Sequence, residues 1–122
     1  SFNEFNETYY GKYEGFEFVI QKRDMGREML ETVSEILKKY PSELETIADF
    51  IRDQTFIQRQ YDGVTSEEIM EQLGHPIVYL YHLEEDITGR LAYANHSLDE
   101  TYLLQVEFVG AFKELTAVRL ER

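Results

Sequence analysis

The chain has 122 residues, 43% hydrophobic and 30% charged, which is enough apolar content for one core with little room for a second. It contains no Cys, so disulfides, thiolate nucleophiles and Cys-ligated zinc or iron–sulfur centres are excluded, and no apolar run approaches the roughly 18 residues of a membrane span. Twenty-four acidic residues against twelve basic ones leave a net charge of −12, which repels phosphate backbones; no nucleic-acid or membrane partner is expected, and a cytoplasmic location is.

Residues 1–6 read as a frayed start, and residues 7–122 as a single α+β domain with no internal boundary. Glu7 to Tyr13 and Phe16 to Gln21 are β-rich runs around Glu14-Gly15, the pattern of a hairpin. In the second run Phe16, Phe18 and Ile20 share one face, so one side is buried. The period then becomes helical. Asp24 is placed as an N-cap, with Met25, Met29, Val33, Ile36, Leu37 and Tyr40 as the apolar stripe. Pro41 is expected to end that helix, and Ser42 with Glu45 to cap a second one running to about Gln60 on Leu44, Ile47, Ala48 and Ile51. Thr65 with Glu68 caps a third, short helix closed by Gly74 and Pro76.

Strands return in the last third. Ile77 to Leu83 is apolar on both faces, Thr88 to Asn95 follows a Glu84-Glu85-Asp86 turn, and Tyr102, Leu104, Val106 and Phe108 alternate strictly. Gly110 breaks that run before a final strand at Leu115 to Leu120. The blockwise order predicts a hairpin, two longer helices and a short one, then about four mainly antiparallel strands with the helices on one face of the sheet.

The segment SEEIMEQL followed by HPIVYLYHLEEDITGRLAYANHSLDETYLLQVEFVGAFKELTAVRLE resembles a group of small, uncharacterised bacterial domains, one of the domain-of-unknown-function families. The shared pattern is a Leu-containing short helix before an apolar strand, then Asn95-His96-Ser97 before a strand that ends at Gly110. Some of these relatives stand beside polymorphic toxins as immunity proteins. The resemblance implies an inhibitor of a toxin and supplies no catalytic residues. The chain departs from the pattern at Tyr93 and Ala94, where the family carries a Trp.

Charge is unevenly spread. Residues 1–61 hold twelve acids and eight bases, net −4, and residues 62–122 hold twelve acids and four bases, net −8. An acidic C-terminal half suits solubility or the docking of a basic protein, because clustered like charge steers encounter. Tyr79, Tyr81 and Tyr93 add amphipathic contact area. The candidate binding residues are therefore Tyr79, Tyr81, Glu84, Glu85, Asp86, Tyr93, His96, Asp99 and Glu100.

Chemistry is sparse. There is no Gly-x-Ser-x-Gly elbow, no Gly-rich phosphate loop and no His-Glu-x-x-His, and Glu84-Glu85-Asp86 lacks the alternation and mid-loop Gly of an EF-hand. No cofactor and no catalytic residue is expected. The leading reading is a non-catalytic, acidic protein-binding module. The alternative is a small metal-dependent enzyme using His82 or His96 with nearby carboxylates. A third reading is a structural module that associates through the edge of the N-terminal hairpin.

Overall fold

The computed structural model describes residues 2–3, 8–94, 96–98 and 101–121. They form one mixed sheet in the order β1 (Phe2–Asn3), β2 (Thr8–Tyr13), β3 (Phe16–Gln21), β4 (Ile77–Leu83), β5 (Asp86–Tyr93), β6 (Leu103–Val109) and β7 (Glu114–Glu121). Six of these strands have six to eight residues. Phe2 and Asn3, expected to fray, pair with Tyr9 and Thr8, while residues 1 and 4–6 lie outside the described residues.

Every neighbouring pair is antiparallel except β3–β4, which is parallel. A parallel pair needs a long crossover. Three helices supply it: α1 (Arg27–Arg52), α2 (Thr55–Gln60) and α3 (Ser66–Gln72). The result is an α+β fold whose N-terminal hairpin continues the C-terminal meander.

Two corrections concern the helices. Pro41 does not end a helix, because α1 runs through it for 26 residues. A proline inside a helix costs about 3 kcal/mol through one lost hydrogen bond and a ring clash. The buried residues of α1 show why the helix persists: Met29, Val33, Ile36 and Tyr40 before the proline stay in phase with Ile47, Ala48 and Ile51 after it. A break would throw Ile47 and Ile51, both fully buried, off the core face. Burying two such side chains contributes about 1.5–3 kcal/mol each, which outweighs the proline. Ser42 accordingly caps nothing, and its hydroxyl donates back to the Lys39 carbonyl at 2.9 Å. Nor does Asp24 cap α1: it is buried in a 3-10 turn, and the N-cap position is Gly26.

The expected continuation to Gln60 is likewise interrupted after Arg52. On an unbroken helix Ile57 would sit roughly 120° around the axis from Ile51. The break at Asp53-Gln54 re-aims α2 so that Ile57 enters the core, where it is 1% exposed. α3 begins with the Thr65–Glu68 capping box and is followed by Gly74 at φ 71. Arg52 ties α3 to α1: it donates to Ser66 Oγ at 2.9 Å, and the Ser66 hydroxyl donates in turn to Asp49.

The helices cover the sheet face carrying Phe18, Ile20, Val78, Leu80, Leu91, Leu104, Val106 and Phe108, all buried with Met29, Ile36, Ile47 and Ile51 in one cluster. Gly89 is required at the centre of this face. It lies between Leu80 and Phe108 on adjoining strands, and a Cβ there would come within 2.5 Å of the Phe108 ring and 2.8 Å of Leu80. Among the described residues no helix lies over the opposite face.

Candidate functional site

β4 and β5 are joined by a two-residue turn, Glu84-Glu85, which pairs Leu83 with Asp86 and fixes the register above it. Glu84 takes φ 59, a backbone region that disfavours side chains other than glycine and a few short polar ones. Glu84, Glu85 and Asp86 are all exposed and make no ion pair among the described residues. Beside them Leu83 is 59% exposed, more than any other large hydrophobic residue described. The hairpin tip is thus an apolar side chain ringed by carboxylates. Towards α1, Glu85 and Asp86 share a depression of about 120 Å³ with Glu28 and Glu35, where Lys113 is the one cation in the lining.

Tyr79 and Tyr81 leave this tip along β4 on the uncovered face, each half-buried. The register sets Tyr79 between Val19 of β3 and Arg90 of β5. The Arg90 guanidinium lies over the Tyr79 ring, 4.5 Å from its centroid, a cation–π contact. Its neighbour on β6 is Glu107, but Glu107 Oε1 accepts from Arg119 Nε at 2.8 Å, and Arg90 makes no ion pair among the described residues. Arg90 Nε is shielded from solvent and has no hydrogen-bond partner among the described residues. Together with Tyr10, Val19 and Arg23 these side chains line a concavity of about 580 Å³.

The remaining expected site residues do not join this surface. Tyr93 is a core residue, 0% exposed, because its side chain falls on the helix-covered side of β5, where its hydroxyl meets that of Tyr40 at 2.7 Å. Burial raises both hydroxyls: Tyr40 is pushed up to about 12, against the lowering effect of its bond to Tyr93, and Tyr93 lies well above its ordinary 10.0. His96 is 4% exposed and its Nε2 donates to the Tyr102 carbonyl at 2.6 Å, so it fastens the β5–β6 connection. Asp99 and Glu100 lie outside the described residues. His82 is exposed at the end of β4, and among the described residues no group of three or more His, Asp or Glu is placed to hold a metal ion. No helix of the described residues is long and apolar enough to cross a membrane.

Sequence reasoning missed Leu83, Arg90, Tyr10, Val19 and Arg23. A signal for Arg90 was present: counting back from a two-residue turn at Glu84-Glu85 puts residue 90 opposite residue 79. Taking Asp86 into the turn hides that pairing. Compared with protein-family models, with curated proteins and with solved structures, the chain finds no match.

Proposed function

We propose that the protein is a non-catalytic binding module that docks a basic protein at the β4–β5 tip. One observation carries this reading: exposed Leu83 is set beside the carboxylates of Glu84, Glu85 and Asp86, which make no ion pair among the described residues. An apolar anchor excludes water at the centre of a contact, and the charges around it steer a partner of opposite sign. The net charge of −12 extends that attraction over the whole molecule. An immunity protein that masks the basic surface of a toxin is one form of such a module.

The test is affinity capture from the native host at low salt, using wild-type protein beside a variant with Leu83→Ala, Glu84→Gln, Glu85→Gln and Asp86→Asn. A basic protein held by the wild type, lost with the variant and released above physiological ionic strength (about 0.15 M, where the Debye length is about 8 Å) is the expected result. Purified, that protein should bind with an on-rate that falls as salt rises. Capture of no basic protein, or equal capture by the variant, refutes the reading.

A further inference from the structure

One concavity on the uncovered sheet face carries chemistry opposite to that of the rest of the molecule. Across 122 residues acids outnumber bases two to one, yet the concavity over β2–β5 is lined by Arg23 and Arg90 and by no carboxylate. Three tyrosines, Tyr10, Tyr79 and Tyr81, form its walls, and Tyr10 is 44% exposed. The Arg90 guanidinium carbon lies over the Tyr79 ring, 4.5 Å from its centroid, while the one carboxylate directly across the strand, Glu107, is engaged by Arg119.

A guanidinium carries five N–H donors in a fixed fork suited to carboxylate and phosphate. In Arg90 the Nε donor is shielded from solvent and makes no hydrogen bond among the described residues, so the Nη donors are the ones open to a ligand. From these observations we infer that this groove binds a small organic anion: a carboxylate or phosphate group on Arg90, joined to a planar apolar body that rests against the tyrosines. The volume of about 580 Å³ falls within the range of small-ligand pockets, ~300–1,000 Å³. A polyanion such as nucleic acid is disfavoured because each further phosphate meets the field of a chain at −12, whereas a single oxyanion is compensated by Arg90 and Arg23. Leu83 borders both this groove and the acidic tip, but anion binding is read at Arg90 and Arg23, which the tip does not use, so either reading can fail while the other stands.

The experiment is a titration of ¹⁵N-labelled protein with 2-naphthoate, 2-naphthyl phosphate and neutral 2-naphthol, followed by two-dimensional ¹H–¹⁵N NMR that includes the arginine Nε–H signals. Saturable shifts of the Arg90 Nε–H and of β3–β5 amides are expected with one or both anions and not with 2-naphthol. Whichever anion binds more tightly identifies the oxyanion. Arg90→Gln should weaken binding on the order of tenfold or more, because a charge-assisted bond is lost. Arg23→Gln, at an exposed turn position whose replacement leaves the sheet intact, should weaken it by a smaller factor. Arg119→Gln releases Glu107 to pair with Arg90 and should weaken binding, whereas Lys39→Gln, on α1 at the other side of the sheet, should leave affinity unchanged. Equal binding of 2-naphthol, an unshifted Arg90 signal, or affinity unchanged in both Arg90→Gln and Arg23→Gln overturns the inference.

Discussion

Tyr40 and Tyr93 come from a helix and a strand 53 positions apart and share one buried hydrogen bond of 2.7 Å between their hydroxyls. Tyr93→Phe removes one partner and leaves the Tyr40 hydroxyl, 7% exposed as a residue, without it. Stranding a buried polar group costs about 1–3 kcal/mol. Tyr40→Phe should fall at the upper end of that range, because the hydroxyl it strands belongs to a fully buried residue. The double variant strands neither, so its cost should stay below about 1 kcal/mol and the cycle should be strongly non-additive. Urea unfolding followed by far-ultraviolet circular dichroism reads this directly, and the chain has no Trp to offer a fluorescence signal. In a domain of this size 1 kcal/mol moves Tm by about 4 °C. The same pair has an alkaline signature. Folding keeps the Tyr40 proton bound up to about 12, whereas the unfolded chain releases it near 10.0. Between those values the folded state binds more protons, so stability is complete below pH 10 and declines as pH rises through 12. At about 1.4 kcal/mol per pKa unit the loss from Tyr40 amounts to about 3 kcal/mol, and the double Phe variant should not show it. Single costs that simply add in the double variant, or an alkaline decline unchanged by it, would refute this account.

Gly89→Ala should destabilise by about 1–3 kcal/mol, since the Phe108 ring and Leu80 already occupy the space a Cβ needs; a urea midpoint equal to wild type would contradict the packing at this position. Pro41→Ala should stabilise by about 1–3 kcal/mol by restoring a hydrogen bond inside α1, and calorimetry showing no gain in Tm would mean the helix does not pass through residue 41 as described. Glu84→Gly should relieve the φ of 59 at the hairpin tip and raise stability by about 1 kcal/mol, a gain visible in thermal unfolding; a loss would show that the Glu84 side chain holds the turn.

Much of the local structure was legible in the residues. The Thr65–Glu68 capping box, Gly74, the strand at Ile77–Leu83 and the alternation of Leu104, Val106 and Phe108 each follow from short-range rules, and the structure places them accordingly. The candidate site was legible only in pieces. Glu84, Glu85 and Asp86 were found because a run of charge cannot be buried, and Tyr79 with Tyr81 because a strand with apolar residues on both faces stands out. Arg90 was signalled only through the length of the turn before it. A turn that includes Asp86 and one that stops at Glu85 differ by one residue of register, and a one-residue shift changes every cross-strand partner.

Sequence by itself determined the α+β class, the hairpin, the sites of most strand ends and of both ends of α3, and an acidic molecule without catalytic motifs, because caps, turns and periodicity act within a few residues. Tertiary structure alone decided that α1 continues through Pro41, that Tyr93 belongs to the core and that Arg90 lies over Tyr79. Each of those outcomes depends on which distant surface a side chain meets: the shared core face that keeps Ile47 and Ile51 in phase, the hydroxyl of Tyr40, and the cross-strand pairing of β4 with β5. Burial against such surfaces is worth several kcal/mol, more than the local preferences it overrides.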